Sequence, residues 1–236
     1  RVSVLGSTGS VGQNTIELIS KGQNPGQGFV VEALTAHTNV ALLAEQAKAL
    51  SPNFVAIGDE TLRDDLTDAL AGTGITIGAG ETALSEAAAR PADWVMAAIV
   101  GAAGLNPTLA AIRQGATVAL ANKEVLVCAG DLVMQEVSAA GGALLPVDSE
   151  HNAIFQVFDF DHPDTVEKII LTASGGPFRD FDLAQMASVT PAQAVAHPNW
   201  DMGAKISIDS ATMMNKGLEL IEAHHLFRMA EEKIDI

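Results

Sequence analysis

Short runs of apolar and β-branched residues alternate with amphipathic segments through about residue 147. Val2 to Leu5, Phe29 to Thr35, Phe54 to Ile57, Val95 to Val100, Thr117 to Leu120 and Ala143 to Val147 predict strands. Between them, Val40, Leu43, Ala47 and Leu50 recur at helical spacing. Leu62, Leu66 and Leu70 form another apolar stripe, with Asp64, Asp65 and Asp68 on the wet side. Strict alternation of strand and helix predicts an α/β fold with a Rossmann-like, doubly wound parallel sheet.

After Asp148 the rhythm changes. A helix-like His151 to Phe158 precedes an apolar strand from Val166 to Thr172 and the turn Ser174-Gly175-Gly176-Pro177. Short helices follow, then the turn His197-Pro198-Asn199-Trp200 and a helix from about Thr212 to Arg228. This predicts two domains, residues 1–147 and a second, α+β domain over 148–236, with a cleft where they join. There is no internal repeat, low-complexity tract or long linker.

At 236 residues and 48% hydrophobic, the chain can bury a substantial core. Its net charge of -16 argues against nucleic acid or an anionic membrane as partner. Any phosphate must therefore be held locally, by helix N-termini and by Lys123, Lys205 and Lys216. The single cysteine, Cys128, permits no intramolecular disulfide and is expected to be a buried thiol in a reducing compartment. The opening Arg1 to Leu5 reads as a strand rather than a secretory leader. An uncharged stretch from Trp94 to Ile112 is broken by Gly101, Gly104, Asn106 and Pro107, which predicts strand, turn and helix rather than a membrane span.

Gly6-Ser7-Thr8-Gly9-Ser10-Val11-Gly12 lies between a strand and a helix. In that context glycines let the backbone approach a pyrophosphate and the helix N-terminus stabilises its charge. The GxxGxxG spacing is a variant of the dinucleotide fingerprint, and glycines also occur in such turns for steric reasons alone. Glu32 stands twenty residues after Gly12, the nominal position for a ribose-binding carboxylate. It falls inside the second strand, however, and the strand end carries Ala36-His37-Thr38-Asn39 with no acid. A strand end without a carboxylate accommodates a 2′-phosphate and favours NADPH.

Asp148, Glu150 and Glu219 supply three carboxylates and no sulfur to one expected site, a donor set suited to Mg²⁺ or Mn²⁺, with Co²⁺ a third option. Ser149, Ser174, Ser210, Asn215 and Lys216 are residue types that hold phosphate. Each has a plainer reading. Asp148-Ser149-Glu150 by itself caps a helix, Asn122-Lys123-Glu124 starts one, and Glu219 with Glu222 forms a solvated face. His151, His197, His224 and His225 by themselves read as core or loop histidines, and Met213-Met214 as packing. Ser174-Gly175-Gly176 is a turn whose exposed amides also make an anion nest.

Longer motifs reverse the readings of Asp148-Ser149-Glu150 and of Glu219, and leave His224, His225 and Met213-Met214 in the plainer class. GSTGSVG at 6–12, MAAIVGAAGL at 96–105, LANKE at 120–124, LPVDSEHNAIFQ at 145–156, ASGGPF at 173–178, HPNWDMG at 197–203 and KISIDSATMMNKGLE at 205–219 occur in order. With these motifs the chain closely resembles the 1-deoxy-D-xylulose 5-phosphate reductoisomerase family from residue 1 to about 228. The resemblance implies metal-dependent rearrangement and NADPH reduction of 1-deoxy-D-xylulose 5-phosphate to 2-C-methyl-D-erythritol 4-phosphate, in non-mevalonate isoprenoid synthesis. It also implies that a C-terminal helical domain of the family is absent from this chain, and that the full-length protein is a homodimer. The expected location is the bacterial cytoplasm, or the plastid stroma if a leader has been removed.

By resemblance, Thr8, Gly9, Ser10 and Val11 line the NADPH pyrophosphate, and Asn39, Asn122, Glu124 and Gly203 also touch the cofactor. Asp148, Glu150 and Glu219 match the metal ligands. Ser149 and Lys123 match contacts near the reacting carbons, and Ser174, His197, Ser210, Asn215 and Lys216 match phosphate and hydroxyl contacts. His197 to Met202 correspond to a flap in which Trp200 packs on the substrate. The implied metal polarises the ketone and templates the rearrangement. Lys123 is expected to place positive charge beside the developing oxyanion, Glu150 to shuttle a proton as well as bind metal, and NADPH to supply hydride. One departure is clear: many relatives carry Gly-Lys-Asn where this chain has His37-Thr38-Asn39, so a lysine that could meet the 2′-phosphate is missing. Two other functions share parts of the pattern, a plain NAD(P)-dependent sugar-phosphate dehydrogenase and an inactive nucleotide-binding fragment.

Overall fold

The fold is that of a computed structural model, which describes residues 1–22, 28–196 and 203–236. The chain forms two compact units, Arg1–Asp148 and Ser149–Ile236.

In the first unit seven parallel strands form one sheet. They are β1 (Val2–Leu5), β2 (Val31–Ala36), β3 (Phe54–Ile57), β4 (Thr76–Ala79), β5 (Trp94–Ala97), β6 (Thr117–Leu120) and β7 (Ala143–Pro146). Their order is β4-β3-β2-β1-β5-β6-β7. Six helices alternate with them: α1 (Ser10–Lys21), α2 (Val40–Leu50), α3 (Arg63–Ala69), α4 (Gly80–Ala89), α5 (Leu105–Arg113) and α6 (Lys123–Ala140). Right-handed crossovers run outward from β1 to β4 and then, after α4 returns the chain to the centre, from β5 to β7 in the opposite direction. Reversal puts α1 to α3 on one face and α4 to α6 on the other. The doubly wound sheet expected from the alternation is therefore present, with its switch point between β1 and β5.

Val2, Val4, Leu34, Val55, Ile57 and Met96 from the strands pack against Ile19, Leu43, Ala47 and Leu66 from the helices. Burying a side chain of this size is worth roughly 1.5–3 kcal/mol. This core holds the carboxyl ends of the central strands, and the loops they carry, in fixed relation.

Several boundaries differ from the pattern. β2 begins at Val31 rather than Phe29. β5 stops at Ala97, because Gly101 adopts a left-handed backbone (φ 78°) and Asn122 takes the carbonyl groups of Ile99 and Gly101. β7 ends at Pro146, one residue short of the expected Val147. The edge strand Thr76–Ala79 was not anticipated, since Thr-Ile-Gly-Ala is short and only partly buried. Cys128 lies on an exposed face of α6, not in the core. Among the described residues no helix is long and apolar enough to cross a membrane.

The second unit carries α7 (Ser149–Phe155), β8 (Ile169–Ile170), α8 (Leu183–Met186), α9 (Pro191–Val195), α10 (Ala204–Ala211), α11 (Met214–Phe227) and β9 (Ile234–Asp235). β8 pairs in parallel with β9. The expected strand over Val166–Thr172 thus shrinks to two paired residues, with Leu171 adding one further hydrogen bond to Asp235. α7 starts and ends earlier than His151 to Phe158. Met213, in a left-handed conformation (φ 60°), separates α11 from α10 and sets the start of α11 two residues past the expected Thr212. Ile169, Leu171, Ala223, Phe227, Met229 and Ile234 make this unit's core.

Candidate active site

The nucleotide loop follows β1 at the switch point. Gly6 has a left-handed backbone (φ 81°), and a Cβ there would lie 2.6 Å from the Ala98 carbonyl oxygen. Gly12 packs its Cα on the loop itself, where a Cβ would approach the Gly6 oxygen to 2.2 Å. Both glycines are thus steric requirements of a turn that delivers the chain from β1 into α1. Gly9 caps α1, and its carbonyl accepts from Gln13 at 2.8 Å. Among the described residues the N–H groups of Thr8, Ser10 and Val11 make no backbone hydrogen bond. Thr8 and Val11 are half-buried, and Gly9 and Ser10 are exposed. Free amides at the start of a twelve-residue helix suit a phosphate.

Glu32 is 2% exposed in β2 and binds Arg90, Asn53 and Arg1. It is a structural carboxylate and not a ribose ligand, as its place within the strand implied. Asn39, expected at the cofactor, is exposed and caps α2 by accepting from Leu42 N–H at 3.1 Å. Asn122 is buried and fully engaged. Its Oδ1 accepts from Val125 N–H at 3.1 Å, and its Nδ2 donates to the Ile99 and Gly101 carbonyls. Any cofactor contact here belongs to its main chain. Lys123 and Glu124, half-buried, open α6 behind it. The Lys123 ammonium donates to Asp148, the last residue of the first unit.

In the second unit the helix α11 presents Asn215, Lys216 and Glu219 together. Lys216 Nζ donates to Glu219, to Glu150 Oε1 at 3.1 Å and to the Thr172 carbonyl at 2.5 Å. Asn215 Nδ2 donates to Glu219 as well. Lys216 and Glu219 are almost wholly buried, so their mutual charge compensation is strong. Ser149 Oγ donates to Glu150 Oε2 at 2.5 Å. One pocket is lined by Glu150, Ser174, Gly175, Ser210, Asn215 and Lys216, with Ala173 and Met213. Gly175 and Gly176 are left-handed, and a Cβ on Gly176 would meet the Ser210 carbonyl oxygen at 2.6 Å. That close approach joins the Ser174 turn to α10, whose first turn is capped by Gly203. The buried Asn215 Oδ1 accepts no hydrogen bond, which leaves a hard oxygen donor beside the two carboxylates. Carboxylate and amide oxygens without sulfur fit Mg²⁺ or Mn²⁺.

Sequence reasoning placed Glu219 on one helix turn with Lys216 and Asn215, but it missed Thr172, which acts through its carbonyl and leaves no side-chain signal. It also gave His151 only a core role. His151 is wholly buried, and its Nε2 donates to the Glu219 carbonyl at 2.8 Å, so it braces the helix turn that carries Glu219. His197 and Trp200, with the expected flap to Met202, lie outside the described residues.

The sequence profile of 1-deoxy-D-xylulose 5-phosphate reductoisomerase matches residues 2–130, and that of the enzyme's C-terminal domain matches residues 144–227. The chain belongs to the 1-deoxy-D-xylulose 5-phosphate reductoisomerase family. The reductoisomerase of Rhodospirillum centenum is 62% identical over 235 residues, which cover 100% of this chain and 58% of that protein. The Zymomonas mobilis enzyme is 59% identical and is covered over 60% of its length. This chain therefore spans a little under three-fifths of the R. centenum family member. Among solved structures, the Z. mobilis reductoisomerase in complex with NADPH superposes with a TM-score of 0.92 at 57% identity, covering 99% of this chain and 59% of that one. A reductoisomerase complex with NADPH, fosmidomycin and magnesium gives 0.90 at 43% identity, covering 99% and 60%.

Proposed function

We propose that this chain carries the cofactor and metal sites of an enzyme that rearranges 1-deoxy-D-xylulose 5-phosphate and reduces the product with NADPH to 2-C-methyl-D-erythritol 4-phosphate. The observation that carries this reading is the meeting of Lys216 with Glu150 and Glu219 beside a pocket lined by Glu150, Ser174, Ser210, Asn215 and Lys216. That pocket combines hard oxygen donors with cationic and hydroxyl groups, as a phosphorylated polyol requires. NADPH and magnesium complexes of related reductoisomerases support it.

In this reading residues 1–147 form the NADPH-binding domain and residues 148–236 the catalytic domain. Thr8, Gly9, Ser10 and Val11 line the pyrophosphate, with the amides of Thr8, Ser10 and Val11 turned to it, while Asn39, Asn122, Glu124 and Gly203 border the cofactor. Asp148, Glu150 and Glu219 would hold the divalent cation, which would supply Lewis-acid polarisation of a ketone and its neighbouring hydroxyl. Lys123 lends positive charge where an oxyanion develops. Ser149 binds the substrate backbone, and Ser174, His197, Ser210, Asn215 and Lys216 bind its phosphate and hydroxyls. Trp200 packs over the substrate. NADPH, when bound, would supply the hydride for the reduction, and this chain's part is orientation and exclusion of water. The full-length protein acts as a homodimer in a bacterial cytoplasm, in keeping with bacterial relatives.

The test is NADPH oxidation with 1-deoxy-D-xylulose 5-phosphate and Mn²⁺, with and without chelator, on this chain and on a version extended through the family's remaining length. Oxidation that stops on chelation is expected. Oxidation indifferent to chelator would mark a plain dehydrogenase, and NADPH binding without turnover by the extended version would mark a binding module.

A further inference from the structure

Gln46 sits on the core-facing side of α2 among Leu43, Ala44 and Ala47, where a polar side chain needs a reason. It is 6% exposed, and Ser7 beneath it is completely buried. Ser7 Oγ donates to Gln46 Oε1 at 2.7 Å, and Gln46 Nε2 donates back to the Ser7 carbonyl at 3.0 Å. On the other side Thr35 of β2 accepts twice, its carbonyl from Ser7 N–H at 2.8 Å and its Oγ1 from Gly6 N–H at 2.9 Å. Every polar group of Ser7 is engaged.

We infer that Gln46 is a positioning residue for the dinucleotide, acting through Ser7 to hold the loop from Gly6 to Val11 in the one shape that turns its free amides outward. This rests on the NADPH reading above. The chemistry is selective. A carboxamide both accepts from the Ser7 hydroxyl and donates to the Ser7 carbonyl, whereas a carboxylate lacks the donor and a thioether lacks the donor and accepts only weakly. With the Ser7 peptide clamped, the following amides at Thr8, Ser10 and Val11 are preorganised before a ligand arrives, which lowers the ordering cost of binding. Because the clamp bears on the pyrophosphate loop and not on the strand end at His37 to Asn39, it serves NADPH and NADH alike.

The experiment uses the enzyme extended through the family's full length. Dissociation constants for NADPH and NADH are measured by fluorescence titration on wild type, Gln46→Met, Gln46→Glu, Ser7→Ala and the Ser7→Ala/Gln46→Met double variant, beside the KM for 1-deoxy-D-xylulose 5-phosphate. Gln46→Met should weaken both nucleotides by about tenfold, the scale of one or two lost buried hydrogen bonds. The NADPH to NADH ratio, the sugar-phosphate KM and kcat at saturating NADPH should stay within about twofold, since those groups bind elsewhere. Gln46→Glu sets a buried carboxylate against the Ser7 carbonyl and should weaken binding at least as much as Gln46→Met, whereas Ser7→Ala, which removes a single hydrogen bond, should fall between wild type and Gln46→Met and carries the test if the methionine variant does not fold. The double variant should be no worse than Gln46→Met alone. Unchanged NADPH affinity in the Gln46 variants, even with lowered thermal stability, would reduce the residue to a core filler and overturn the inference. Fully additive losses would overturn action through Ser7. A wild type that binds no NADPH would instead overturn the functional reading, and this inference with it.

Discussion

Arg90 donates from Nε to Glu32 Oε1 at 2.8 Å, and this pair anchors the amino end of β2 to the end of α4. Asn53 donates to the other carboxylate oxygen at 2.7 Å, Arg1 reaches it at 3.3 Å, and the Arg90 guanidinium lies 5.0 Å over the Phe54 ring. Burial alone raises the Glu32 carboxyl. The hydrogen bonds from Asn53 and Arg90 and the charges of Arg90 and Arg1 together outweigh it and hold the group below the ordinary glutamate range.

A lowered folded-state value means that the folded protein keeps Glu32 ionised where the unfolded chain takes up a proton. Its contribution to stability is complete above the ordinary glutamate value of about 4.3 and is lost as pH falls through the folded value. Arg90→Met should destabilise the protein at pH near 7 by about 2 kcal/mol, less than for a fully dry pair because Arg90 is partly exposed. Urea denaturation at neutral pH and near pH 3.5 checks this: the gap between variant and wild type should narrow in acid.

Lys216 supplies a positive charge between Glu150 and Glu219. Removing it in Lys216→Met leaves two carboxylates facing each other, an arrangement that favours a divalent cation. Half-saturation by Mn²⁺, read from the free-ion signal in electron paramagnetic resonance, should fall several-fold, while the KM for the sugar phosphate rises at least about tenfold. A weaker Mn²⁺ affinity in this variant would count against a cation between these carboxylates.

Asn122→Ala removes the cap of α6 and both donors to the loop after β5. A lost cap costs about 1 kcal/mol, and two part-buried carbonyls that lose their donor add up to about as much again. Asn122→Asp keeps the cap acceptor but loses the donors, so its stability should fall between the two. Thermal denaturation ranks them; equal stability of the alanine and aspartate variants would contradict the capping role.

Gly12→Ala forces a methyl group into the Gly6 carbonyl and the Ser7 Cα, both main chain and unable to yield. α1 must shift off the loop. NADPH affinity is expected to drop by more than about tenfold, a loss of over 1.4 kcal/mol, with Mn²⁺ binding unchanged because the carboxylates belong to other elements. A parallel loss of Mn²⁺ binding would indicate general misfolding instead.

Much of this molecule is legible along the chain because its signals are local. β1, β3 and β6 appear with the expected ends, since short runs dominated by apolar and β-branched residues between turns allow little else. The same logic fails at the edge: Thr76 to Ala79 has too little apolar content to stand out, and it becomes a strand only because β3 offers a pairing partner. Val166 to Thr172 is apolar enough for a full strand, yet just two residues pair, because pairing depends on a neighbour contributed by the far end of the chain. Cys128 fell on an exposed turn of α6 because helix rotation is set by what packs against it, not by residue type.

What the sequence determined by itself was the period of each element, the glycine turn after β1 and the kinds of donor available for metal and phosphate, all properties carried within a few residues. Tertiary structure alone decided how those donors are used. It bound Lys216 to Glu150 across 66 residues, closed Gln46 on Ser7 across 39, and committed Asn122 and Glu32 to structural bonds. Hydrogen bonds between distant segments depend on where the sheet and its helices bring each side chain, and no local pattern encodes that distance.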